Sequence, residues 1–583
     1  MQEPRWELEC PDPAAVERLI SALGVPPLVA TLLVNRRVDS PEAARDFLSP
    51  RLGQLPDPFT MKGMDVAVDR VLGAIEAEES ICVWGDYDVD GVTSAAELLW
   101  FFRALGVPAR SYVPDRFSDG YGLNERGIVA LAREGVSLFI TVDCGISNHH
   151  EVAKARAHGA DVIIVDHHQV PPRLPEATAI LNPLQAGCSY PDKRLAACGV
   201  TWVFLIALRA RMRERGWFGP GRPEPDLREW LDLTAIGTVA DMVPLVGVNR
   251  VITAYGLARV AGSARPGLMA LRAVSGLGER PITAGSVGFH LGPRINAAGR
   301  MAHARAGLDL MTTEDAAEAD TIAAGVDAWN LERRAVQDAI FEEARALVEA
   351  AGDPAARRSI VLARAGWHSG VLGIVASKLV ERFFRPTVLM TVEDGVAKGS
   401  ARSIPGFKLV RHLERLGEHL EKYGGHDYAA GLTLPSEGVP AFAAAFEAEA
   451  REALTDRALA PRLRLDAELT LGAVTRALIA SAARLAPFGQ GNPEPVYLVR
   501  GAQVREVRLV GKDQRHVKLA VEGDGGVFDA IAFGQAEHAP ALGDLIDLAC
   551  VPEVNAFRGR ERLQLRIKAM RPAGGAVHPR PQS

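Results

Sequence analysis

Between about residues 65 and 245 the chain alternates short, flat apolar runs with longer stretches of helical periodicity, and three of the four runs reach an acidic residue within two positions of their end. The runs are Ile81–Trp84, Leu138–Val142, Val162–Val165 and Thr178–Leu181. Apolar strands of this kind need cover on both faces, so they predict a parallel sheet with crossover helices, an α/β fold. Ligands of such sheets collect where the loops converge, at the carboxyl ends of the strands. Those ends carry Asp86, Asp88 and Asp90 in the run DYDVDG, Asp143 in DCG, and Asp166, His167 and His168 in DHH. Asp241 follows a helix predicted over Trp230–Val239.

So many carboxylates at one place repel unless a cation neutralises them. Hard oxygen ligands with one or two imidazoles suit manganese or magnesium better than zinc. A pair of such ions, roughly 4 Å apart, activates a water and stabilises the attacking and leaving oxygens at phosphorus. The expected chemistry is therefore metal-dependent phosphodiester hydrolysis, with Asp143, the middle member, bridging the ions. Taken singly, each piece is weak: an Asp after a strand usually caps a helix or turn, and paired histidines are often surface or satisfied core. Their coincidence at the sheet ends is specific. His149 and His150, on a helix with no acidic partner nearby, read as surface residues. Asp86 to Glu97 also fits the spacing of an EF-hand calcium loop. It follows a strand, however, and Glu97 falls inside a helix predicted over Thr93–Arg103.

Residues 1–60 read as a helical cap, 61–312 as the catalytic domain and 313–350 as a helical connector. A second α/β domain is expected over 351–455, with strands at Ser359–Ala363 and Thr387–Thr391 around a helix at Val371–Arg382. Short alternating runs over 456–572 predict a small β-barrel, and the Gly- and Pro-rich tail, 573–583, reads as disordered. A net charge of -6 makes any nucleic-acid contact depend on local basic patches. Six scattered cysteines without a C-x-x-C pair argue against a disulfide scaffold or structural zinc. With no signal-like start and no membrane-length apolar run, the expected location is cytoplasmic.

The strings GDYDVDG, VDCG, VDHH and GTVAD, in that order, closely resemble the DHH phosphoesterase superfamily. GPRINAAGRM, NLERR, WHSGVLGIVASKL, GSARS, YGGHDYAAGL, PFGQGNPEP and FRGRERLQLRI resemble its RecJ family, bacterial single-strand-specific 5′-to-3′ DNA exonucleases, over nearly the whole chain beyond about residue 60. The resemblance implies DHH and DHHA1 domains joined by a long helix and followed by an OB-fold. It implies that Asp86, Asp88, Asp143, His167 and Asp241 hold two Mn2+ or Mg2+ ions and that His168 faces the scissile phosphate. Asp90 and Asp166 would orient the loops and the ligating histidine. Arg294 would act at the scissile group, while Arg116, Ser400 and Arg402 would bind phosphates of the strand or its 5′ end. His426, after Gly424 and Gly425, would close the cleft from the second domain.

Phe528, Phe533 and Phe557 are the barrel aromatics available for stacking, and Phe557, Arg558 and Arg560 are assigned to DNA. Cys82 stands where smaller DHH enzymes carry a histidine, a departure shared with RecJ-type sequences that leaves the first metal with fewer imidazole ligands. The implied activity is 5′-to-3′ degradation of single-stranded DNA, preferably 5′-phosphorylated, to nucleoside 5′-monophosphates in DNA repair and recombination. The expected state is a monomer, with a single-stranded-DNA-binding protein and a RecQ-like helicase as partners. Two alternatives stand beside it: a small-substrate phosphatase or cyclic-dinucleotide phosphodiesterase on the same metals, and a non-catalytic replication scaffold.

Overall fold

The computed structural model describes residues 4–116, 119–557 and 560–581. Two compact units divide the chain: residues 12–330 with 477–495, and residues 1–11, 331–476 and 496–583. The connector is a single helix, Ala316–Ala350, that passes from one unit into the other.

In the first unit the expected sheet has strands β1 (Ser80–Gly85), β2 (Ala109–Tyr112), β3 (Val136–Val142), β4 (Asp161–Val165) and β5 (Ala179–Leu181). Their order is β2-β1-β3-β4-β5 and every pairing is parallel. The edge strand β2, Ala-Arg-Ser-Tyr, has no apolar run to announce it because it is not fully buried on either face. Along β1 the two-residue period divides the core: Ile81 and Val83 pack with Val92, Phe101 and Phe204, while Cys82 and Trp84 pack with Ile128 and Val152. Cys82 is thus a core residue. Burial pushes its thiol up to about 12, which removes it as a thiolate ligand.

Helix α1 (Val89–Ala104) begins earlier than its apolar pattern predicts, because Asp88 caps it with Oδ1, accepting from the Asp90 and Gly91 amides at 2.8 and 3.3 Å. Gly91 is required there: a Cβ would stand 2.6 Å from the Asp86 backbone. Helices α2 (Ala197–Glu214) and α3 (Leu231–Ala240) pack beside α1 in the same core.

In the second unit, strands 422–425, 429–435, 396–402, 387–393 and 360–365 form one sheet in that order, with only the last pair parallel. Strands 497–510, 516–523, 526–532, 560–572 and 545–557 follow one another round a barrel, closed where 545–557 pairs with 497–510. Two expectations are corrected at the chain ends. Arg5–Cys10 is a strand rather than part of a helical cap, and the tail is not wholly disordered, since His578–Pro581 pairs in parallel with it. Trp6 is buried under the Arg571 guanidinium, and Glu9 meets Arg464 and Arg580. Composition alone could not reveal these distant partners. Among the described residues, no helix is long and apolar enough to cross a membrane. All six cysteines are free.

Candidate metal centre

The sheet carries its hydrogen-bond ladder one residue past each strand end. Asp86 N–H donates to Val142 O at 3.2 Å, Asp143 N–H to Val165 O at 3.0 Å, and Asp166 N–H to Leu181 O at 3.0 Å. These rungs set the three acidic loops at matching heights above neighbouring strands. Asp143 pays with a left-handed backbone, φ 61°, uncommon outside glycine and a mark of strain held at a functional position.

The expected ligands come together. Ligand atoms of Asp86, Asp88 and Asp143 lie within 4.8 Å of one another, as do those of Asp90, His167 and Asp241, and those of Asp143, His167 and His168. Asp143 and His167 each belong to two of these sets. His167 Nε2 is 3.3 Å from Asp143 Oδ1, and its Nδ1 is 3.7 Å from Asp241 Oδ2.

Three buried atoms, Asp86 Oδ1, Asp143 Oδ1 and His167 Nε2, have no hydrogen-bond partner. Interior polar atoms are nearly always satisfied, so convergent orphans of this kind are what metal ligands look like without their metal. The electrostatics agree. Burial, then the Asp88 charge, pushes the Asp86 carboxyl well up, and burial, then Asp90, does the same to Asp143. Asp241 is pushed up to about 9 by burial and by Asp90 and Asp88. Burial holds His167 down, leaving its ring neutral and able to ligate. Carboxylates with one or two imidazoles fit a hard divalent cation such as Mn2+ or Mg2+.

The supporting acids divide their work. Asp90 Oδ2 accepts from Ala197 N–H at 2.7 Å and Oδ1 from Cys198 N–H at 2.8 Å, so it ties the first acidic loop to the amino end of α2. It stands 3.8 Å from His167 Nε2. Asp166 was expected to orient the ligating histidine, but its ring contact is with His168. Oδ1 takes His168 Nδ1 at 2.7 Å and the amides of His167 and His168 at 2.7 and 3.0 Å, while Oδ2 takes Ile146 N–H at 3.0 Å. Burial works against this carboxylate, yet the His168 bond and charge hold it down to about 2.

Helix α4 (Gly292–Met301) braces the same loop. Asn296 Oδ1 accepts from Val89 N–H at 3.2 Å, and a Cβ on Gly299 would lie 3.0 Å from Tyr87 O. Arg294, expected at the scissile group, is engaged elsewhere: Nε bonds Asp327 Oδ1 at 2.8 Å, Nη1 His290 O at 2.8 Å and Nη2 Val274 O at 3.4 Å. It anchors α4 in this arrangement.

Arg116 lies over the Tyr87 ring at 4.9 Å. In the other unit, Arg402 rests against the amino-terminal turns of helix Ser369–Phe383, where a Cβ on Gly373 would be 2.6 Å from its Nη2. Ser400 is on the same strand, and His426 is exposed after Gly425, whose φ is 140°. Phe533 is exposed and edge-on to His516, whereas Phe528 packs into the barrel core. The side chains of Phe557, Arg558 and Arg560 lie outside the described residues. His150 does have an acidic partner, Glu125 Oε2 at 2.9 Å.

Sequence reasoning missed Asn296 and Tyr121. Tyr121 Oη stands 3.0 Å from Asp143 O and 3.3 Å from the His168 ring nitrogens. The run Gly120-Tyr121-Gly122 was the available signal, since an aromatic between two turn glycines is presented rather than packed.

Residues 80–238 match the DHH family N-terminal domain, 357–452 the DHHA1 domain and 465–569 the RecJ OB domain. The single-stranded-DNA-specific exonuclease RecJ of Bacillus subtilis is 40% identical over 97% of this chain and 70% of its own length. RecJ from Thermus thermophilus in complex with Mn2+ superposes with a TM-score of 0.84 at 31% identity, covering 98% of this chain and 80% of that one. The same protein with Mg2+ gives 0.77 at 30% identity, over 98% and 79%.

Proposed function

The chain belongs to the RecJ family, and from that premise we propose that it is an exonuclease that degrades single-stranded DNA from the 5′ end by metal-dependent hydrolysis, releasing nucleoside 5′-monophosphates. The observation that carries this reading is the convergence of Asp86 Oδ1, Asp143 Oδ1 and His167 Nε2, buried and without hydrogen-bond partners, at the ends of parallel strands. Asp86, Asp88, Asp143, His167 and Asp241 are the residues that would hold the divalent ions. Those ions, when bound, supply a water acidic enough to attack phosphorus and positive charge for the leaving oxygen.

The chain's own residues do the rest. His168, held by Asp166, faces the scissile phosphate and donates to it from the ring. Arg116 offers a guanidinium beside the first acidic loop. Arg402, at the amino-terminal turns of helix Ser369–Phe383, and Ser400, two residues before it on its strand, have the donor character that a 5′-phosphate needs. Asp90 and α4 keep the carboxylates of the first acidic loop in place. The match to an OB domain over 465–569 favours a polymer over a dinucleotide or other small substrate, and the complete ligand set speaks against a non-catalytic scaffold. The setting is DNA repair and recombination in the cytoplasm, as a monomer, with a single-stranded-DNA-binding protein and a RecQ-like helicase as partners.

The test is a strand labelled at one end in turn, digested with Mn2+ present. The 5′ label appears at once as mononucleotide, the 3′ label stays on shortening strands, and blunt duplex is spared. Mononucleotide released first from the 3′ end, or equal attack on blunt duplex, contradicts the reading.

A further inference from the structure

His168 is gripped from two sides. Asp166 holds Nδ1 at 2.7 Å, and Asn182 Nδ2–H donates to the His168 carbonyl at 2.9 Å. Across the ring stands Tyr121, with its hydroxyl 3.3 Å from each ring nitrogen and 3.0 Å from the Asp143 carbonyl. Because Nδ1 is committed to Asp166 at the shorter distance, Nε2 is the partner left for the Tyr121 hydroxyl. A phenol both donates and accepts, so Tyr121 meets Nε2 either way: it accepts from Nε2–H while donating to the Asp143 carbonyl when the ring carries both protons, and donates to a bare Nε2 when it carries one. It thereby links the edge of His168 to the backbone of the residue shared by two ligand sets.

The tyrosine ring itself is fixed by aromatic contacts. It lies edge-on to His168, centroids 5.8 Å apart, and edge-on to Tyr87 at 6.4 Å, with Arg116 in turn 4.9 Å from the Tyr87 ring. Glycines on both sides, each at φ 82°, let the backbone turn the tyrosine toward the site. A Cβ at Gly122 would come within 2.9 Å of Asn148 Oδ1, so this close approach admits no side chain. About half of the Tyr121 surface is exposed, while its hydroxyl is turned inward, where burial pushes the phenol well up.

We infer that Tyr121 is a positioning residue: its hydroxyl holds the Nε2 edge of His168 in register opposite Asp166 until a phosphate oxygen takes its place. This rests on the reading above, in which His168 faces the scissile phosphate. Removing only the hydroxyl frees the imidazole to tilt, which slows the chemical step without loosening the metals or the DNA.

Tyr121→Phe keeps the ring and its packing and is the discriminating variant. Expected on single-stranded DNA with Mn2+ are a single-turnover rate lowered by about tenfold, KM within about twofold of the parent and an unchanged Mn2+ concentration dependence. A rate within about twofold of the parent overturns the proposal, as does an equal loss of rate and Mn2+ affinity, which would assign the hydroxyl to the Asp143 turn instead. A second readout needs no substrate: in metal-free protein with 15N-labelled histidine, the His168 Nε2 resonance shifts in Tyr121→Phe. An unmoved resonance overturns the contact. If the parent protein fails to cut single strands, the functional reading falls, while the resonance still judges the contact.

Discussion

A single oxygen of Asp166 takes the His168 ring nitrogen Nδ1 at 2.7 Å and the backbone N–H groups of both His167 and His168. One carboxylate thus shapes the turn and aims the histidine that it presents. Because these bonds favour its ionised form, Asp166 titrates at about 2 although it is fully buried. A depressed carboxylate contributes stability that is present above its unfolded pKa and is lost as pH falls through the folded value. In the metal-free protein, Asp166→Asn is expected to lose about 2 kcal/mol at pH 7 by urea denaturation. The gap to the parent narrows between the ordinary aspartate range and about pH 2. The variant also loses most of its exonuclease rate, because His168 is no longer oriented.

Glu97 has the opposite sign. It lies at the twelfth position of the calcium-like spacing, but inside α1, fully buried, with the Thr234 hydroxyl as the polar group that most eases its charge. Burial pushes its carboxyl well up, so folding takes up a proton. Stability then falls as pH rises from the unfolded glutamate range toward the folded value. Glu97→Gln should raise the stability of the metal-free protein at pH 8 by about 1 to 3 kcal/mol and flatten that slope, as read from thermal melts at several pH values. A calcium ligand would behave otherwise, with the variant losing a Ca2+-dependent rise in Tm.

Arg294 separates bracing from catalysis. With its guanidinium on Asp327 and two carbonyls, Arg294→Ala leaves a part-buried carboxylate and two acceptors without their donor. The expected loss is about 2 to 3 kcal/mol in the melting of the metal-free protein, with weaker Mn2+ binding because α4 also holds Val89 through Asn296. An unchanged Tm with activity abolished would restore the scissile-phosphate role.

The strands that build the site were legible because each is apolar on both faces, and the site residues because they stand just past those strands. β2 was not, since Arg110 and Ser111 break the apolar run at the sheet edge. The early start of α1 depends on Asp88 acting as cap and ligand candidate at once, which spacing alone does not reveal. Arg294 is tied to Asp327 and Tyr121, to which sequence reasoning gave no role, is placed on His168, because side-chain partners distant in sequence decide both. The strand at 578–581 was hidden for the same reason: its partner is at the opposite end of the chain.

The central claim is that the acidic cluster is the metal centre that acts on single-stranded DNA. Anomalous diffraction from crystals soaked in Mn2+ with a 5′-phosphorylated single strand tests it most directly. The account predicts two Mn2+ peaks, one beside Asp86 and Asp88, one beside His167 and Asp241, with Asp143 touching both and a phosphate of the strand within reach of His168. Mn2+ bound only away from these residues, or a cluster left empty while the strand is cut, would contradict it.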